Sequence, residues 1–135
     1  MENAKLHHIG IVVKNISNSL GDLTKYLKFE SIGLPTSIGT QKVNVCFVKI
    51  GQVYLELIEP ADEDSPISNF LNKGGGFHHL CFEVQDINKA LTELENSGAR
   101  VIVKPVKGFE DRQIAFVLLN MKHINCRLIE LAEEK

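Results

Sequence analysis

Leu6-His7-His8-Ile9-Gly10-Ile11-Val12-Val13-Lys14-Asn15-Ile16 returns later in the chain as Phe77-His78-His79-Leu80-Cys81-Phe82-Glu83-Val84-Gln85-Asp86-Ile87, 71 positions on. The match continues at the same offset, with Leu20 meeting Leu91 and Leu23 meeting Leu94. A second pair lies further along each copy. Tyr54-Leu55-Glu56-Leu57-Ile58-Glu59 matches Leu128-Ile129-Glu130-Leu131-Ala132-Glu133 at an offset of 74. A module written twice therefore carries a His near its start and a Glu near its end, and duplication gives a reason for the four side chains to converge.

The local pattern inside each copy sets the elements. Ile9 to Val13 is rich in β-branched residues and reads as a strand, and Asn15 or Ser17 can cap a helix carrying Leu20, Leu23 and Leu27. Gly33 and Pro35 break the chain, with a short strand expected near Glu30 to Gly33. Val43 to Ile50 and Val53 to Glu59 read as two strands joined at Gly51-Gln52. Ser65-Pro66 reads as the N-cap and first position of a short helix through Leu71. Gly74-Gly75-Gly76 reads as a breaker and hinge, since it precedes a strand and not the helix that a phosphate cradle needs. The second copy repeats the order: a strand from Phe77 to Val84, and a helix capped by Asp86 and closed by Gly98. Strands follow at Val101 to Val103, Ile114 to Leu119 and Arg127 to Leu131. The expected fold class is α+β: two tandem βαβββ modules, residues 5–61 and 76–134 with a connector 62–75, in one domain of residues 1–135. The modules should form a cupped mixed sheet with the helices outside.

Alternation along the strands places the candidate ligands. His8, Gly10 and Val12 share a face, as do His79, Cys81 and Glu83; Glu56 and Glu130 oppose the leucines beside them. The apolar face suits the helices, so the other face carries His8, Glu56, His79 and Glu130, and Gly10 leaves room there for a ligand. Two imidazoles and two carboxylates suit a divalent ion such as Co²⁺, Mn²⁺, Ni²⁺, Zn²⁺ or Fe²⁺ with two coordination positions open to substrate oxygens. Such an ion polarises a carbonyl and stabilises enolate-like charge, while a neighbouring carboxylate moves the proton. Glu130 and Glu56 are thus the candidate catalytic residues. His7 and His78 point to the opposite face and read as packing or surface residues; Cys46, Cys81 and Cys126 read as reduced residues of the core or of a pocket on the ligand side.

Composition excludes other classes. A net charge of −2 gives no basic face for nucleic acid. No apolar run approaches the ~20 residues of a membrane span. Met1 to Lys5 lacks the apolar core of a secretory leader, and three cysteines do not make a disulfide framework, so a cytoplasmic location is expected.

These residues resemble the vicinal oxygen chelate superfamily, which includes glyoxalase I, methylmalonyl-CoA epimerase, extradiol dioxygenases and the bleomycin and fosfomycin resistance proteins. The nearest likeness is to the methylmalonyl-CoA epimerase family, carried by His8–Val13, Leu55–Pro60, Gly76–Val84 and Leu128–Leu131. The resemblance implies His8, Glu56, His79 and Glu130 as metal ligands, a cupped sheet of paired modules, a homodimer, and epimerisation α to a thioester in an acyl-CoA substrate. Thr40-Gln41-Lys42 departs from that family's acidic residue, Gln or His, and Gly. Asn44 stands where some epimerases carry a proposed base, and Leu119 to Cys126 lacks the family's Pro and Gly. Two alternatives remain: a glyoxalase-I-like lyase or isomerase acting on a glutathione adduct, and a non-catalytic, resistance-type small-molecule-binding module.

Overall fold

The computed structural model describes all residues from Met1 to Lys135. The chain is α+β, with nine strands in mixed parallel and antiparallel pairing and three α-helices. It divides into two compact units, residues 8–78 and residues 1–7 with 79–135.

In the unit of residues 8–78, β1 (Lys5–Val12) leads to α1 (Ile16–Leu23), β2 (Ser31–Ile32), β3 (Thr36–Ile38), β4 (Val43–Ile50), β5 (Val53–Pro60) and α2 (Ser68–Asn72). The strand order is β2-β4-β5-β1, with β3 paired to β4; β1 runs parallel to β5, and the other pairs are antiparallel. Helix α1 covers the face that carries Cys46, Val48 and Leu57, which are buried with Ile16, while Ile11, Val13, Leu20, Leu23 and Leu55 pack around them. Asn15 caps α1, its side chain accepting from the Asn18 N–H at 2.8 Å. The helix stops at Leu23, where the Thr24 hydroxyl donates to the Leu20 carbonyl at 2.8 Å. Leu27 therefore lies past the helix that its spacing suggests, and it is exposed.

Two further expectations shift in this unit. Helix α2 begins at Ser68, not at Pro66, because Ser65 and Pro66 belong to a preceding turn in which the Ser68 N–H donates to the Ser65 carbonyl. The strand at Thr36–Ile38 follows Pro35, which reads in sequence only as a break. The glycine triplet does end α2. All three glycines have positive φ, and a Cβ on Gly75 would come within 2.8 Å of the Val12 carbonyl oxygen.

In the other unit, β6 (Gly76–Val84) leads to α3 (Ile87–Asn96), β7 (Arg100–Lys107), β8 (Gln113–Leu118) and β9 (Leu128–Glu133). The order β6-β9-β8-β7 repeats that of the first unit: β6 runs parallel to β9, and β9, β8 and β7 are antiparallel. Helix α3 covers Ala115, Val117, Ile129 and Leu131 with its own Ile87, Ala90 and Leu91. Asp86 caps it, accepting from the Lys89 N–H at 3.0 Å, and Gly98 stands just past the C-cap Ser97 with φ +103°. Strand β7 is eight residues long, not three. Pro105 sits in it without cost because β7 is an edge strand with irregular register on either side of Val103.

Candidate metal and proton-transfer site

Each unit brings one predicted His against one predicted Glu. In the unit of residues 8–78, β1 and β5 run in parallel with Gly10 opposite Glu56, so His8 and Glu56 emerge on one face. His8 Nε2 lies 3.3 Å from Glu56 Oε1. In the other unit, β6 and β9 set Cys81 opposite Glu130, and His79 Nε2 lies 3.1 Å from Glu130 Oε1. Exposure is 0% for His8, 4% for Glu56, 2% for His79 and 2% for Glu130. Burying a carboxylate is costly unless charge and hydrogen bonding are met, so four buried polar side chains on otherwise apolar strands mark a site and not a solvated sheet face. Gly10 and Cys81 occupy matching positions beside the two carboxylates. The first unit has no side chain there where the second has a thiol.

An aromatic ring completes each pair, and reading the sequence missed both. Phe47 lies opposite Glu56 in the β4–β5 register and meets the His8 ring edge-on at 5.2 Å. Phe116 lies opposite Glu130 in the β8–β9 register and meets the His79 ring edge-on at 5.3 Å. The signal was present: Val45-Cys46-Phe47-Val48 matches Ile114-Ala115-Phe116-Val117 at an offset of 69.

A second missed pair steadies the helices. The carboxylate of Glu59 accepts from the Ile16 N–H at 2.9 Å, and that of Glu133 accepts from the Ile87 N–H at 3.0 Å. Both stand three residues after a site Glu, on the opposite face of the same strand, and both place negative charge at a helix N-terminus.

Several sequence expectations move. Asn44 is on the helix face, where it donates to Glu59 at 3.3 Å and accepts from the Ser37 hydroxyl at 2.8 Å. It does not stand in the row of Glu56. Cys46 and Cys126 pack in the two helix-side cores and not on the ligand side, and burial raises the Cys46 thiol pKa. Cys81 alone shares the face of a site His. None of the three forms a disulfide. His7 and His78 are packing residues as expected, His7 against Phe109 at 5.0 Å and His78 edge-on to Phe70 at 4.8 Å. Thr40 and Gln41 lie in a 3-10 turn before β4, and Lys42 closes it in the left-handed region.

The family model described as the glyoxalase/bleomycin resistance protein/dioxygenase superfamily matches residues 7–116. An ethylmalonyl-CoA/methylmalonyl-CoA epimerase of Cereibacter sphaeroides is 34% identical over 133 residues, covering 96% of this chain and 97% of that protein. The mitochondrial methylmalonyl-CoA epimerase of Homo sapiens is 33% identical over 135 residues, covering 96% of this chain and 73% of that protein. A solved methylmalonyl-CoA epimerase in complex with methylmalonyl-CoA and NH4+ superposes with a TM-score of 0.83 at 27% identity, over 97% of this chain and 94% of that one.

Proposed function

The chain belongs to the glyoxalase/bleomycin resistance protein/dioxygenase superfamily, and on that premise we propose that it is a metal-dependent epimerase acting at the carbon α to a thioester in a methylmalonyl-CoA-like substrate. The observation that carries the reading is the buried His–Glu pair repeated at matching strand positions, His8 with Glu56 and His79 with Glu130. Each of the four offers one ligand atom and each is buried. The donor set, two imidazoles and two carboxylates, fits a divalent ion. When bound, that ion supplies Lewis-acid polarisation of the thioester carbonyl.

The chain's own carboxylates do the proton work. An oxygen of Glu130 or Glu56, as the carboxylate, would take the α-proton from one face, and the other Glu, entering the step as its carboxylic acid, would give its proton to the opposite face. His8 and His79 hold their carboxylates in place, and Phe47 and Phe116 keep water from their flanks. We read the chain as one family domain, with modules 5–61 and 76–134 and a connector 62–75, working as a cytoplasmic homodimer.

The reading is tested by incubating the metal-loaded protein with single epimers of acyl-CoA thioesters, methylmalonyl-CoA first, in deuterium oxide. The expected result is loss of stereochemical purity with one deuterium entering at the α-carbon. Epimerisation without solvent deuterium would rule out the proton-transfer mechanism. Turnover of the methylglyoxal–glutathione hemithioacetal, with inert acyl-CoA esters, would move the chain to the glyoxalase-like lyases. A metal-free binder has no use for two buried His–Glu pairs, which ranks that reading lower.

A further inference from the structure

We infer that Phe47 and Phe116 are positioning residues that set the affinity of the site for its metal, an inference that rests on the metal reading above. Each ring stands directly across the strand pair from a site Glu, Phe47 opposite Glu56 and Phe116 opposite Glu130. Each also presents an edge-on contact to the site His of its own unit, with interplanar angles of 71° at His8 and 84° at His79. One aromatic side chain thus touches the imidazole and flanks the carboxylate of each pair. An edge-on ring contact has a preferred geometry that an aliphatic side chain does not reproduce. It limits imidazole rotation, so Nε2 stays directed at the carboxylate. The hydrocarbon shell around a metal site also controls its dielectric and water access, and groups outside the ligand set commonly alter metal affinity by tenfold or more.

Two observations separate this from ordinary core packing. The rings recur at the same register in both units, although their neighbours differ. Phe47 is braced by Tyr54 through a second edge-on contact at 5.9 Å, while the position matching Tyr54 in the other unit is Leu128. What is common to the two units is the His–Glu–Phe arrangement itself. Moreover, the register that sets Phe47 opposite Glu56 and Phe116 opposite Glu130 puts both rings on the site face of their units.

The test compares wild type, Phe47→Leu, Phe116→Leu and Phe116→Tyr, with Ile114→Val as a control for loosening the same strand. Metal-stripped proteins are titrated with Mn²⁺ by calorimetry, and Co²⁺-loaded proteins are read by their visible d–d spectra. Each Leu variant is expected to bind Mn²⁺ about tenfold to hundredfold more weakly and to show a shifted Co²⁺ spectrum. Phe116→Tyr, which keeps the ring edge, and Ile114→Val are expected to stay within about threefold of wild type. Wild-type binding with unchanged affinity and spectrum in both Leu variants would overturn this inference alone. Equal weakening in Ile114→Val would also overturn it, since loosening would then be the cause. A wild type that binds no Mn²⁺ or Co²⁺ would remove the metal reading and this inference with it.

Discussion

Lys42 adopts φ 53°, in the left-handed region, at the end of the 3-10 turn that feeds β4. A side chain there costs about 1 kcal/mol or more relative to glycine, and glycine returns part of that gain through its greater unfolded-state freedom. Lys42→Gly is expected to stabilise the fold by about 0.5 kcal/mol in urea unfolding. An unchanged or lower midpoint would show that the Lys42 side chain contributes more than its backbone costs. At this scale the four candidate residues stood out because they are polar, repeated, and set among apolar neighbours, and the structure buries them as two His–Glu pairs. The phenylalanines did not, since a Phe in an apolar strand gives no sign of the ring that it will face. The partner of Asn44 was not legible either, although alternation along its strand places it with Cys46 and Val48. In the structure it serves Glu59.

Helices α1 and α3 are tied to their sheets by Glu59 and Glu133 as well as by the caps Asn15 and Asp86. Losing one such cap costs about 1 kcal/mol. Glu133→Ala is accordingly expected to lower stability by about that amount, seen as a reduced denaturation midpoint, and Glu59→Ala by at least as much because it also strands the Asn44 amide. Asn15 and Asp86 were readable as caps from short-range pattern, whereas Glu59 and Glu133 reach helices that begin 43 and 46 residues earlier, and such pairs become visible only once the strands are placed. The turn before β8 carries a charge cluster. Arg112 pairs with Glu83 and with Glu110, and Lys135 reaches Glu110 at 2.9 Å. Burial pulls the Glu110 carboxyl upward, but the Lys135 hydrogen bond and the charges of Arg112, Lys135 and His7 outweigh it and hold its pKa below 4.5. A carboxylate with a depressed folded pKa stabilises the fold above its unfolded pKa, and that stabilisation is lost as pH falls through the folded value. The stability advantage of wild type over Glu110→Gln is therefore expected near neutral pH and to vanish as pH falls below the ordinary carboxylate range. An advantage that does not change with pH would exclude Glu110 as its source.

At the scale of the whole chain, the duplication was the most legible feature. It forecast the order of strands and helices in each copy and the shared face of His and Glu, but not which strands pair or which His meets which Glu. What else escaped it lies where the copies diverge: the start of α2 after Pro66, the extra strand β3, and an edge strand β7 that tolerates Pro105. On the resemblance drawn from the sequence, Thr40 to Lys42 and Leu119 to Cys126 depart from the epimerase pattern, so the proposal commits to a reaction more closely than to an acyl group. The central claim is that His8, Glu56, His79 and Glu130 hold one metal ion. It is tested most directly by elemental analysis of the chelated and Co²⁺-reloaded protein beside His8→Ala/His79→Ala, with circular dichroism confirming that the variant is folded. The account predicts about one cobalt per wild-type chain and almost none in the folded variant. Substoichiometric metal in the wild type, or equal metal in the variant, would contradict it.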